Sequence, residues 1–312
     1  MGGSSWSDAS YSLRATSRAS AGVPTFDYDD KVRTGAVATK VHDKMDPKNI
    51  VRECRDSDKH PETNAIIIGL DVTGSMKSIP SVLQKSLPSL LGILLRKNYI
   101  TDPQILFAAV GDSRTDRVPL QVGQFEAGNE MDDDLSNIYL EGGGGGTNEE
   151  GYEALMYFAL HKTKIDCVEK RGKKGYLFII GDEAPYPDLP SNVIEKIFGD
   201  KTQPVETPKL VELLQDKYEC FLLMPTGASN TGNKTIKNRW TDLFGQRVIQ
   251  IENNADIPMA IAGLIGTNEG FDSVSADINA SPSLSRELTT YSSKSLKKNA
   301  TGLVVSDVVG IV

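Results

Sequence analysis

Six short apolar runs, spaced along the middle of the chain at residues 65–70, 104–110, 120–125, 176–180, 220–224 and 247–251, constrain its fold more than any other feature. Each has the length of a strand, and most give way at their C-terminal end to Asp, Ser, Thr or Gly. Between them lie stretches with helical spacing: 79–97, a short one at 131–140, then 148–163, 192–198, 206–216 and finally 257–265. Alternating strands and helices predict an α/β fold with a doubly wound, mostly parallel, six-stranded Rossmann-like sheet and helices on both faces. Pro80 suits a first helical turn, whereas Pro88 falls inside its stretch and predicts a kink there.

The strand ends carry the chemistry, because open α/β sheets bind ligands outside the carboxyl ends of their strands. The first run ends in Asp71-Val72-Thr73-Gly74-Ser75-Met76, Thr147 follows five glycines at 142–146, and Asp182 follows the run 176–180. Two carboxylates and three hydroxyls, with no Cys or His among them, suit a hard divalent cation: Mg²⁺ first, with Mn²⁺ or Ca²⁺ as alternatives. As the backbone curls off its strand, Asp71, Thr73 and Ser75 can turn three oxygens inward, with Gly74 relieving the bend. Taken singly, each of these residues is also ordinary turn chemistry. Asp112, after the second run, reads either as an acceptor orienting a metal-bound water or as a turn cap. Glu183 could reach the ion, but a solvated loop carboxylate is the commoner role for such a residue.

Asp71-Val72-Thr73-Gly74-Ser75-Met76, Gly145-Gly146-Thr147-Asn148 and Gly181-Asp182-Glu183 together resemble the von Willebrand factor A domain and its metal-ion-dependent adhesion site, in the form common to intracellular bacterial and phage members. The likeness spans residues 64–268, and three pieces in the right order at strand ends make it specific. Thr73 stands where the family usually has Ser, which keeps the hydroxyl and adds a methyl group. The resemblance implies a cation held by Asp71, Ser75 and Thr147, with Thr73 and Asp182 completing its shell and one position left for an Asp or Glu of a partner protein. It also suggests an adaptor working beside an AAA+ ATPase.

Other chemistries fit less well. The glycine run lacks the G-K-[ST] of a phosphate loop, and Thr147 occupies the place of a required glycine in the dinucleotide fingerprint. Ser75 lies in no G-x-S-x-G, and the histidines are His42, His60 and His161, so neither a catalytic residue nor a base is apparent. The acidic run at Glu130 and Met131-Asp132-Asp133-Asp134 reads as a charged first helical turn. A net charge of −8 argues against sequence-independent nucleic-acid binding.

Three cysteines without C-x-x-C spacing point to a reducing compartment. No run is long enough for a membrane span, the start of the chain lacks a secretion signal, and Trp6 stands where myristoylation of Gly2 wants Ser or Thr. We therefore expect a cytoplasmic protein, or one housed in a phage particle. The organisation expected is a polar arm at 1–63, the α/β domain at 64–268, and a Ser/Thr-rich tail at 269–312 whose apolar end, 303–312, could dock as an edge strand. Extended termini also suit a structural subunit of a large assembly, with arm and tail wrapping neighbours. A metal-dependent hydrolase is the third and weakest reading.

Overall fold

The central strand β1, Asn64–Asp71, is buried along its whole length, as a parallel strand covered on both faces must be. Its alternate residues feed two cores: Ile66, Ile68 and Leu70 enter one, Ala65 and Ile67 the other, following the period of two that a strand imposes. The structure, a computed structural model, describes residues 7–24, 26–86, 89–143 and 146–301. Gly2, Trp6, Pro88, Gly145 and the apolar segment 303–312 lie outside the described residues.

The sheet continues with β2 Pro103–Val110, β3 Leu120–Val122, β4 Gly175–Ile180, β5 Tyr218–Pro225 and β6 Val248–Ile251. Their spatial order is β6-β5-β4-β1-β2-β3, and every neighbouring pair is parallel except β2 with β3. The chain therefore moves outward from β1 to β2 and β3, then returns to lay β4 on the other side of β1. Asp71 pairs with Val110 and Leu70 with Ile180, so β1, β2 and β4 finish almost level.

Two helices precede the sheet, α1 Asp8–Ser20 and α2 Asp27–Arg33. On one face lie α3 Ile79–Ser86, α4 Ser89–Lys97 and α5 Met131–Ser136. The other face holds α6 Tyr152–His161, α7 Asp166–Arg171, α8 Ser191–Phe198, α9 Thr207–Lys217 and α10 Lys234–Phe244. The chain then returns to the first face with α11 Ile257–Asn268, α12 Val274–Asp277 and α13 Pro282–Thr301. Helix α6 is buried from Tyr152 to Ala159, as a helix apolar on nearly every side must be. Gly69 admits it: a Cβ there would sit 2.1 Å from Leu155 Cδ2. None of the helices among the described residues is long and apolar enough to cross a membrane.

Several elements depart from the expectations. The stretch 79–97 is helical on both sides of Leu87 and Pro88, which lie outside the described residues. Helix α10 was not expected, because 226–246 is mostly polar; its stripe of Ile236, Trp240 and Phe244 is nevertheless buried, and Asn233 caps it by accepting from the Thr235 and Ile236 amides. In the arm, Phe26 and Met45 enter the first core, and Arg52–Cys54 pairs in parallel with Thr163–Ile165. In the tail, Leu284, Leu288 and Tyr291 lie on one helical stripe and join the same core, which the surrounding Ser and Thr residues obscure in the sequence.

Candidate functional site

Asp71 closes β1 with no exposed surface. Its Oδ1 accepts from the Thr73 amide at 2.9 Å and the Thr73 hydroxyl at 2.6 Å, the local turn an Asp favours two residues ahead of a polar partner. Its Oδ2 accepts from the Tyr152 hydroxyl at 2.5 Å. Across the crevice, the Ser75 hydroxyl donates to Asp182 Oδ1 at 2.6 Å and lies 3.3 Å from the Thr73 hydroxyl. The other oxygen of Asp182 accepts from the Asn230 amide at 2.7 Å, in the loop after β5. The structure thus brings Asp71, Thr73, Ser75 and Asp182 into one connected cluster where the strand order reverses.

The glycine loop reaches this cluster through its backbone. Gly74 N donates to Gly143 O at 2.7 Å and Gly142 N to Val72 O at 3.2 Å. A Cβ on Gly74 would stand 2.9 Å from Gly142 O, so only glycine allows that approach. The start of the loop is braced by the arm, where Arg33 donates to Leu140 O at 2.7 Å and Asp29 Oδ1 accepts from the Leu140 amide at 3.1 Å. Thr147 itself is exposed. Its hydroxyl lies 3.4 Å from the Tyr186 hydroxyl and makes no hydrogen bond to Asp71, Ser75 or Asp182 among the described residues.

Asp112 serves its own turn, accepting from the Arg114 amide at 2.8 Å and the Thr115 hydroxyl at 2.7 Å. Tyr186 joins it to Thr147, donating to the Asp112 carboxylate at 3.1 Å, while the Arg114 guanidinium covers the Tyr186 ring at 4.0 Å. Glu183 is not the solvated loop carboxylate expected. It is 8% exposed, its carboxylate accepts from the Asn230 side chain at 3.1 Å, and its carbonyl accepts from the Trp240 indole at 2.7 Å. Asp132, expected in a charged helical turn, is also fully buried and ion-pairs with Arg14 and Arg18 of α1.

Sequence reasoning missed Tyr152, Tyr186, Asn230 and Glu150. Asn230 follows β5 as Asp182 follows β4, so the strand-end rule applied to every strand would have found it. The tyrosines sit in helical or loop sequence with no local mark of their role.

Burial makes this cluster electrostatically tense. The Asp71 carboxyl is pushed up to about 7, first by burial, with Thr73 and Tyr152 opposing the rise and Asp182 adding to it. Burial likewise raises Glu150 and Glu183, whose carboxyls lie against each other. A cation at this position would relieve the repulsion, and the oxygen-only donor set suits a hard ion. Among the described residues no three His, Cys, Asp or Glu side chains form a metal-holding group by themselves; any ion at Asp71 and Asp182 would draw on the hydroxyls of Thr73 and Ser75.

No protein-family model matches this chain, and no curated protein matches it. Among solved structures, it is similar to the pilus adhesin SpaC from Lactobacillus rhamnosus GG in its open conformation, with TM-score 0.47 and 9% identity over 71% of this chain and 31% of the adhesin. It is also similar to proximal thread matrix protein 1 from the mussel byssus, with TM-score 0.42 and 8% identity over 65% of this chain and 45% of that one. The chain thus spans less than half the length of either.

Proposed function

We propose that this is a von Willebrand factor A-type module, doubly wound about β1, that uses a divalent cation to bind a carboxylate of a partner protein. The observation that carries the reading is the Ser75 to Asp182 hydrogen bond, which joins the ends of β1 and β4 across the crevice where α/β sheets place ligands. Asp71, Ser75 and Asp182, with Thr73, would hold the ion, and Thr147 would join from the rim. The Thr73 and Ser75 hydroxyls place their protons on Asp71 and Asp182, which leaves oxygen lone pairs for a cation. When bound, such an ion supplies a positive centre with a coordination position open to an anionic oxygen.

The reading is a binding function, not turnover. His42 packs on Tyr28, His60 pairs with Asp102 and His161 packs on Tyr157, so no histidine stands at the cluster to move a proton. A cytoplasmic adaptor linked to an ATPase fits this chemistry, but no residue selects that partner.

Calorimetric titration of Mg²⁺ and Mn²⁺ into metal-free protein tests the reading. Saturable binding is expected in the wild type, with loss in Asp71→Ala and weakening of roughly tenfold or more in Ser75→Ala, which removes a single oxygen donor. Circular dichroism checks that both variants fold. No binding by the wild type, or unchanged binding in both folded variants, would overturn the reading.

A further inference from the structure

Glu150 belongs to no part of the metal set above, yet it is a buried acid at the same end of the sheet. It is 1% exposed, and neither carboxyl oxygen has a hydrogen-bond donor among the described residues. Its position is set by a short ladder in which Glu149–Glu150 runs parallel to Ala184–Pro185, pairing Glu149 with Ala184 and Glu150 with Pro185. Glu183 directly precedes Ala184 of that ladder, and the Glu150 and Glu183 carboxyls, both acceptors, interact.

Arg239, which reaches this ladder, is already engaged: it donates to Glu149 at 2.7 Å and to Pro185 O at 2.7 Å. Among the described residues, the Glu183 carboxylate has one donor, the Asn230 amide group, and Glu150 has none. A buried carboxyl without a donor costs several kcal/mol unless it is neutralised. Nature's common remedies are a proton shared between the two acids or a cation held between them.

We propose that Glu150 and Glu183 form a second divalent-cation site, beside the one at Asp71, Ser75 and Asp182. Two carboxylates are the usual protein share for Mg²⁺ or Mn²⁺, which keep several waters in their shell. The inference shares with the proposed function the premise that this end of the sheet draws a divalent cation, and its test separates the two.

Glu150→Gln is the discriminating variant, because a Gln side chain can donate to Glu183 as a protonated Glu150 would, while losing the charge a cation needs. Metal-free wild type, Glu150→Gln and Asp71→Ala are each titrated with Mn²⁺. Bound metal is counted by elemental analysis, and Mn²⁺ pairs are detected by the broadening of their paramagnetic resonance. The expected result is more than one Mn²⁺ per chain with spin–spin broadening in the wild type. Each variant would then keep a single unbroadened ion, with a thermal midpoint for metal-free Glu150→Gln close to that of the metal-free wild type.

A single Mn²⁺ in the wild type, retained by Glu150→Gln and lost in Asp71→Ala, would overturn the second site and leave the first intact, with Glu150 holding a shared proton. A single ion lost in Glu150→Gln but kept in Asp71→Ala would sink the first site and uphold the second. No bound ion in the wild type would overturn both.

Discussion

Glu153, at the start of α6, has no exposed surface, and its Oε1 accepts from the Ser113 hydroxyl at 2.5 Å. Burial pushes this carboxyl up to about 8, with Ser113 and nearby backbone groups opposing the rise. An acid raised in the folded state binds its proton more tightly there than in the unfolded chain. Its stabilising contribution is therefore complete below the unfolded value of 4.5 and is lost as pH rises toward 8. Glu153→Gln keeps an acceptor for Ser113 and removes the titration. Urea unfolding from about pH 5 to pH 8 should show wild-type stability falling relative to the variant by about 1.4 kcal/mol for each pH unit. Parallel curves for the two proteins would assign the dependence to other groups. Tyr152 plays a related part for Asp71: it is fully buried, and its hydroxyl ends on that carboxylate and near the Glu183 amide. That contact was invisible in the sequence, where Tyr152 reads only as one apolar residue of a helix.

Helix α1 is held almost wholly by polar contacts. Ser7 and Asn129 exchange hydrogen bonds at 3.1 and 3.3 Å, Tyr11 donates to Lys85 O at 3.3 Å, and Arg14 and Arg18 pair with Asp132 of α5. Leu13 is 70% exposed, and no residue of α1 whose side chain is described is buried. Elements with so little apolar burial open at low free energy, and here the buried Asp132 supplies the main anchor. In Asp132→Ala, amide exchange across α1 should speed by roughly tenfold, the equivalent of about 1.4 kcal/mol, while the amides of β1 keep their protection. Unchanged exchange in α1 would place its anchor at Ser7 and Tyr11. The strands were the most legible elements, because fully buried parallel strands must be continuous apolar runs. The helices were less so: α10 buries only a stripe of three apolar residues in a polar stretch, and α13 hides its stripe among Ser, Thr and Lys.

The two ends of the chain differ in what they contribute to the whole. Leu284, Leu288 and Tyr291 belong to the core on one face of the sheet; Tyr291 packs edge-on to Phe221 of β5 at 5.5 Å, and Leu288 fills the space beside Gly263 of α11. Burying each such side chain stabilises by about 1.5–3 kcal/mol, so three approach the roughly 5–15 kcal/mol that holds a whole domain together. Ending the chain at Ala280 should therefore lower the thermal midpoint sharply or leave the protein insoluble. Starting it at residue 25, which removes α1, should shift the midpoint far less. Equal midpoints for the two truncations would show that α13 adds no more than α1. The expected division into arm, domain and tail followed composition, and composition cannot register a sparse apolar stripe.

The positions of the six central strands along the chain, and the presence of Asp71, Thr73 and Ser75 together at one strand end, followed from local pattern, because alternation and turn chemistry act between residues close in the chain. Partners from distant elements did not: Tyr152, Tyr186, Asn230 and Glu150 reach the cluster through α6, the loops after β4 and β5, and a two-residue ladder. Packing decided those meetings, and it also directed the Thr147 hydroxyl to Tyr186 while only the backbone of its loop touches Gly74. The physical reason is that burial, which raises the cost of every unpaired oxygen and so determines which groups must meet, exists only once the chain has closed around them.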